Sequence, residues 1–423
     1  MTRIFIYLFP ALMDLVIALA LFVCPVRAAR EFQLDAVYVG GMLVAWGVAY
    51  MVACPLVGRI MNRRNAARLL VYSCLAAGLL CIALTLIQSA GPMFAAMVVM
   101  GGVGAFFFAP FQIFMAAVDE GGAKPITFST GMYTFSWSMG FAAGPFVAAA
   151  FAMLGEQLDA GQTGPLLDSL RWLGNLLYGA GGARGWQFSY LFAAVTMLFN
   201  AVGILLLARH AHPVEHPAGT VKPTVAGHDY SRQPNYVLYA WIGAGVGIFT
   251  IQLIRGVFPK FSDPDVLNLP EQTQGMVFFL LSLVQAFTGL ALCWSKTWMY
   301  RALPVAGACL FGVVGLLLLG LGTTTPVFLA GAACYGIYSG CFFFYFVFHA
   351  IAHPDKAPRQ VGTNEALVGV MGIAAPFLGG LAADHFGMRT PFVICAILVL
   401  GALAFQGWAH RRGFLSETSQ PTP

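Results

Sequence analysis

The residues of this chain that are best suited to chemistry are two acids inside long apolar runs. Asp14 lies in the middle of the first run, and Glu365 lies near the start of the next-to-last run. A charge at bilayer depth costs at least ~2.5 to 3.5 kcal/mol, so an ionisable residue there marks a functional site by default. We therefore predict that Asp14 and Glu365 couple protons or bind substrate. The alternatives are a packed acid for Asp14 and a helix-start residue for Glu365.

Polar and aromatic side chains inside the apolar runs are the next candidates, because a few such groups orient the ligand in a solute cavity. Tyr338, Tyr345 and His349 recur at helical spacing and share one face, which suits a sugar, nucleoside or aromatic solute unless it packs against protein or lipid. Arg255 either anchors a polar group or extends to the membrane interface. The predicted cavity residues are Gln112, Tyr133, Trp137, Gln252, Arg255, Gln285, Tyr338, Tyr345 and His349.

The elements that hold these residues are membrane helices. Of 423 residues, 59% are hydrophobic and 9% are charged, against about 25% charged in a soluble domain. A bilayer core is spanned by about 20 apolar residues per helix. The sequence therefore predicts an all-α polytopic membrane protein with about twelve transmembrane helices. The predicted spans are 4–25, 36–57, 68–88, 93–118, 127–154, 186–210, 236–258, 273–294, 301–321, 326–351, 361–384 and 390–409.

The distribution of basic residues predicts the orientation of these helices. When both chain ends are placed in the cytoplasm, most Lys and Arg residues fall in cytoplasmic joints, as the positive-inside rule requires. We expect a protein of the plasma membrane, which in a bacterium is the inner membrane. The first run is longer than the apolar core of a signal peptide, about 7 to 15 residues, and carries Asp14, so we interpret it as a retained helix.

Two long joints divide the predicted spans. The outer joint, 155–184, has an apolar spacing that indicates a short helix in the membrane interface. The inner joint, 211–235, is rich in His, Pro and Thr, and we interpret it as a linker. The segment 139–146 resembles 371–377, as expected of repeated halves, although two Gly- and Ala-rich helices can also match by chance. We predict a six-helix bundle at 1–210, a second at 236–410 and a cytoplasmic tail at 411–423.

The joint after the second span carries a recognisable loop pattern. It reads Gly58-Arg59-Ile60-Met61-Asn62-Arg63-Arg64-Asn65-Ala66-Ala67-Arg68. This resembles the Gly-x-x-x-Asp-Arg-x-Gly-Arg-Arg loop of the major facilitator superfamily. The resemblance implies a fold of two pseudo-symmetric six-helix bundles and a gating role for Gly58, Asn62, Arg63 and Arg68. Asn62 replaces the family's acid, and Asp119 or Glu120 is expected to supply the missing anion.

Two further patterns support the same resemblance. Gly140-x-x-x-Gly144-Pro145 is similar to a fifth-span motif of the family's antiporters, although small residues also serve plain helix packing. Gly380-x-x-x-Asp384-x-x-Gly387-x-Arg389 repeats the loop motif after the eleventh span. Val98 stands where the family's drug and proton antiporters carry an Arg, which argues against that subfamily.

These observations favour transport over other functions. We predict a secondary transporter that moves a small neutral or weakly charged organic solute by alternating access, coupled to protons. The alternatives are a lipid, amphipath or drug exporter, and a receptor or assembly factor that has lost transport. The spans carry no H-E-x-x-H or G-x-S-x-G motif, no phosphate-binding loop and no paired metal-ligand cysteines. We therefore expect a monomer in the lipid bilayer that is not an enzyme and has no cofactor, metal or nucleic-acid partner.

Overall fold

The structure, a computed structural model, consists of α-helices and short connections. It describes residues 2–62, 64–120, 126–179, 182–210, 236–263, 265–295, 298, 301–351 and 357–411. A 3₁₀ turn, Thr2–Tyr7, precedes the first helix. The helices are α1 (Leu8–Arg30), α2 (Ala36–Ile60), α3 (Ala66–Leu84), α4 (Ala90–Glu120), α5 (Ile126–Asp159), α6 (Pro165–Tyr178), α7 (Gly185–His210), α8 (Val237–Phe261), α9 (Glu271–Trp294), α10 (Ala302–Leu321), α11 (Thr325–Ile351), α12 (Ala357–Phe386) and α13 (Thr390–Arg411).

Twelve of these helices are long and apolar enough to cross a membrane. This confirms the predicted all-α membrane architecture. The remaining helix, α6, begins with Pro165 at its first turn and is followed by Gly179 at φ 80°, so its ends are set by the two residue types that favour them. It buries Leu167 and exposes Trp172 and Leu176 at 67% and 63%. That pattern is typical of a helix in the membrane interface.

The helices pack in two sets. In the first set, α1 packs on α5, α2 on α4, and α3 on α7. In the second set, α9 packs on α11, α8 on α12, and α10 on both α11 and α13. The sets meet along α5 and α9 and along α2 and α12. The predicted bundle limits at 1–210 and 236–410 remain predictions, and the segments 211–235 and 412–423 lie outside the described residues.

The first helix of each set is the most enclosed. In the apolar span of α1, 78% of residues are buried, and in that of α8, 72%, against 39% for α3. Polar side chains on α1 and α8 are therefore held inside the protein and away from lipid. We call the end of the molecule where α1 begins and α13 ends the termini side, and the opposite end the far side.

Candidate functional site

Asp14 is a buried acid on the central helix α1. Its side chain is 3% exposed, and its Oδ2 has no hydrogen-bond partner among the described residues. A buried carboxylate without a partner is strongly disfavoured, so such a group takes up a proton or a ligand. The structure therefore leaves Oδ2 of Asp14 without a protein partner among the residues that it describes, and the predicted role of Asp14 remains a prediction.

Two glycines of α5 create this environment. A Cβ at Gly140 would meet the carbonyl oxygen of Ala11 and would lie 2.8 Å from Cβ of Asp14. A Cβ at Gly144 would lie 2.6 Å from the carbonyl oxygen of Leu15. Only glycine allows the two backbones to approach this closely. The Gly-x-x-x-Gly-Pro pattern of α5 thus faces α1 at the level of the acid.

Arg255 of α8 faces the same region from the second set of helices. Its guanidinium carbon lies 4.2 Å from the centre of the Phe141 ring. Its charge interacts with that of Asp14, although the two side chains do not form a direct ion pair. Arg255 borders a small pocket whose other lining residues are Ala18, Leu21, Phe22, Phe141, Pro145, Pro259, Phe278 and Ser282. The structure therefore places Arg255 beside a pocket that both helix sets line.

Gln285 belongs to a hydrogen-bond chain that crosses between the two sets. Its Nε2 donates to Oγ of Ser138 on α5 at 2.8 Å, and Oγ of Ser339 on α11 donates to its Oε1 at 2.6 Å. All three side chains are almost fully buried. In this conformation Gln285 links α9 to α5 and α11, and its predicted cavity role remains a prediction. The two serines escaped sequence analysis because single serines are common in apolar helices.

A second polar group lies near Arg255. The hydroxyl groups of Thr250 and Tyr335 are 2.5 Å apart, and the Tyr335 hydroxyl also donates to the carbonyl oxygen of Gly247. Gln252, which the sequence places in a cavity, is 7% exposed and lies beside Gly372. Tyr335 is missing from the predicted set, yet it continues the helical spacing of Tyr338 by one turn, and this signal could have revealed it.

The aromatic face of α11 does not meet Asp14. Tyr345 and His349 border a separate pocket on the termini side, between α8, α10 and α11. Tyr338 packs closely on Gly312, where a Cβ would lie 2.6 Å from its ring. The predicted cavity residues therefore do not form one cluster, because Tyr345 and His349 lie at this second pocket and not beside Asp14. The further lining residues of the second pocket are Tyr236, Tyr239, Ala240, Trp298, Arg301, Ala302, Val305 and Phe342.

Two predicted cavity residues of α5 take part in ring contacts. Tyr133 stacks on Phe111 of α4 with ring centres 5.9 Å apart. Trp137 meets Phe343 of α11 edge-on at 4.9 Å. Trp137 thus joins the two sets of helices close to the Ser138 hydrogen bond. The side chains of Gln112, Asp119 and Glu365 lie outside the described residues, so their predicted roles remain predictions.

The loop after α2 is held by its own asparagines. Oδ1 of Asn62 accepts the backbone N–H groups of Arg64 and Asn65, each at 3.0 Å. Oδ1 of Asn65 accepts the N–H of Asn62 at 2.7 Å. These bonds form a turn that leads into α3. A Cβ at Gly58 would meet nothing within 4 Å, Arg68 is exposed, and Arg63 lies outside the described residues.

The far side is closed by contacts between the two sets. Oδ1 and Oδ2 of Asp384, in the motif after the eleventh span, accept the N–H groups of Ala36 and Val37 at 3.2 and 3.0 Å. Arg30 donates to the carbonyl oxygen of Leu269 at 2.8 Å and lies 3.4 Å from Glu271. A carboxylate at the start of a helix is stabilised by unpaired N–H groups and by the helix dipole. Asp384 therefore joins α12 to α2.

We expect that the substitution Asp384→Ala will favour opening of the far side. A charge at a helix end contributes about 0.3 to 1 kcal/mol, so the ratio of open to closed molecules should rise about two- to five-fold. Pulsed electron spin resonance between nitroxide labels at positions 169 and 265 will measure this, in a variant whose nine cysteines are replaced. The exposed acid Asp159 supplies the control Asp159→Ala. An unchanged distance distribution in Asp384→Ala would show that the bond to α2 does not hold the far side.

The described residues contain no group of His, Cys, Asp and Glu side chains arranged for a metal ion. All nine cysteines are free.

Comparison with known proteins gives the family. The model of the major facilitator superfamily matches residues 4–352. The fold resembles that of a bacterial homologue of the human lysosomal transporter Spinster in an inward-facing, unoccupied conformation, with TM-score 0.67, 16% identity and 97% coverage of both chains. The occupied form of that protein matches with TM-score 0.65 at 16% identity, over 97% of this chain and 96% of that one.

A human protein has the same fold. The organic anion transporter MFSD10 (TETRAN) matches with TM-score 0.59 and 15% identity, over 96% of this chain and 99% of that chain. A search among curated proteins finds no match. The structural likenesses at these identities show the fold, and the family match covers most of the sequence. The chain belongs to the major facilitator superfamily of membrane transporters.

Proposed function

We propose that this chain moves a small, neutral or weakly charged organic solute by alternating access and couples the movement to protons through Asp14. The observation that carries the proposal is the burial of Asp14 without a hydrogen-bond partner for Oδ2 among the described residues, opposite Arg255 of the other helix set. When Asp14 is ionised, its charge attracts Arg255. When it is protonated, this attraction disappears, so the proton changes the energy of bringing the two sets together.

The closed far side supports a further part of the proposal. If both termini are cytoplasmic, as the basic residues predict, the far side faces outward and the conformation described here is closed to the outside. The inward-facing conformation of the Spinster homologue supports this orientation. We place the protein in the plasma membrane, which in a bacterium is the inner membrane. Proton binding and solute binding would then precede the rearrangement that opens the far side.

Glu365 is proposed as a second protonation site, on the strength of its position in α12. We expect Glu365→Gln to slow gradient-driven uptake without abolishing exchange of solute between the two sides. Normal gradient-driven uptake by Glu365→Gln would limit the coupling role to Asp14.

Transport by purified protein in liposomes tests the proposal directly. A panel of radiolabelled sugars, nucleosides, amino acids and amphipathic acids is offered with and without an imposed pH gradient. We expect one class to accumulate only when the gradient is present, and its entry to acidify or alkalinise the lumen. Equal uptake with and without the gradient would refute proton coupling. Absence of flux for every class, by protein that is folded and correctly inserted, would favour a receptor or assembly role.

A further inference from the structure

Arg255 is a cation without a matching acceptor. A guanidinium offers five N–H donors, and its hydrogen bonds to charged groups are among the strongest in proteins. Within the described part of the chain, Arg255 has no hydrogen bond and no direct ion pair, and its contact is with the face of Phe141 at 4.2 Å. Arg255 is partly buried, and a charge that is removed from water is disfavoured unless it is paired. The donors of Arg255 are therefore available to a ligand.

The pocket beside Arg255 has mostly apolar walls, which include three aromatic rings. The rings of Phe22 and Phe278 meet edge-on at 6.0 Å, and Phe141 lies under the guanidinium. Arg255 is the only charged residue among the residues that line this pocket, and Ser282 adds one hydroxyl group. The walls come from α1, α5, α8 and α9, so both helix sets contribute. In this conformation the pocket holds only about 20 Å³, so an organic ligand enters only when the two helix sets move apart. The lining residues would then offer that ligand one positive charge beside apolar side chains.

We infer that this pocket binds an organic monoanion, with its carboxylate or similar group paired to Arg255 and its apolar body packed against Phe22 and Phe278. That this ligand is the transported solute rests on the proposed function. A planar carboxylate can accept two parallel hydrogen bonds from a guanidinium, which a lysine at the same position cannot offer. A monoanion is the weakly charged member of the solute class proposed above.

The position of Arg255 near Asp14 makes anion binding depend on the protonation of Asp14. The Asp14 carboxylate and the bound anion are both attracted to Arg255, so they oppose each other when both are charged. Arg255 is the charged group that faces Asp14 from α8, and α5 and α7 carry no charged residue except near their ends. The anion should therefore bind when Asp14 is protonated. Anion and proton then move together, as in symport.

Binding to the purified protein tests this inference. The probes are benzoate, octanoate and 1-naphthoate, each compared with its neutral amide and with an amine of similar size. The readout is the increase in unfolding temperature with ligand concentration, from which the affinity follows. We expect at least one acid to bind and its amide and amine to bind at least ~10-fold more weakly. We also expect the affinity for the acid to fall as the pH rises and Asp14 ionises.

Three variants and one control separate the contribution of Arg255 to binding from that of Asp14. Arg255→Gln should weaken binding of the acid at least ~10-fold, and Arg255→Lys should retain part of it. Asp14→Asn should bind the acid with an affinity that no longer depends on pH. Arg209→Gln, which alters an exposed arginine near the end of α7, is the matched control and should bind like the native protein.

Several results would overturn the inference. They are failure of every acid to bind the native protein, equal binding of acid and amide, and unchanged affinity in Arg255→Gln. The binding measurement needs no gradient and no transport. Anion binding without flux would contradict the proposed function and support this pocket, whereas flux of a neutral solute without anion binding would do the reverse.

Discussion

The substitution Asp14→Asn will abolish proton-driven accumulation of solute and leave exchange of solute across the membrane intact. Asparagine has nearly the same size and keeps a polar group beside Gly140, so the close contact of α1 and α5 survives. It cannot bind and release a proton. The attraction to Arg255 is then permanently absent, and the rearrangement no longer depends on protonation. Uptake by Asp14→Asn under a pH gradient should fall to the level that it reaches without a gradient.

Two measurements on the same liposomes distinguish lost coupling from lost folding. Counterflow, in which unlabelled solute inside drives entry of labelled solute, needs no net proton movement and should persist in Asp14→Asn. Asp159→Asn removes an exposed acid at the end of α5 and should behave like the native protein in both assays. Accumulation by Asp14→Asn at the native rate would contradict the proposed role of Asp14 and leave it a packing residue.

A leucine at Gly140 will remove most of the folded protein. The added Cβ would meet the carbonyl oxygen of Ala11. It would also lie 2.8 Å from Cβ of Asp14 and 2.9 Å from the backbone nitrogen of Leu15. Overpacking against movable side chains costs about 1 to 3 kcal/mol. Two of these three neighbours are backbone atoms of α1, which cannot turn aside, so the cost should exceed about 3 kcal/mol. The measurement is the yield of monodisperse protein in detergent and its unfolding temperature.

The control for this substitution is Gly401→Leu. A Cβ at Gly401, on α13, would meet nothing within 4 Å, so a side chain there enters open space. Leucine is also the better helix former, by up to about 1 kcal/mol. Gly401→Leu should therefore unfold at or above the native temperature, and Gly140→Ala should fall between the two leucine variants. If Gly140→Leu and Gly401→Leu unfolded at the same temperature, α1 and α5 would not be packed as described.

The predictions for Asp14→Asn and Gly140→Leu both depend on the packing of α1 against α5. Gly140 and Gly144 hold α1 against α5, and this contact fixes the position of Asp14. Arg255 reaches the same region from α8 across the boundary between the two sets. A rearrangement that moves the sets apart changes the distance between the acid and the guanidinium. The proton and the proposed anion can each alter the energy of that step.

The sequence determined the membrane architecture by itself. Each span must be apolar over about 20 residues and must satisfy its own backbone hydrogen bonds, so the signal is local and composition is enough to read it. The same reasoning identified Asp14 and Arg255, because a charge within an apolar run stands out without any knowledge of its neighbours. It also predicted the helix in 155–184 from apolar spacing, and the structure confirms it as α6.

Only the tertiary structure decided which side chains meet. Helical spacing placed Tyr345 and His349 on one face of α11, but it did not show that this face borders α8 and α10 and not Asp14. The bonds from Ser138 to Gln285 and from Asp384 to the start of α2 join residues 147 and 348 positions apart. Such pairings depend on how whole helices pack. That packing is set by the shapes of many side chains together, which no local pattern of residues records.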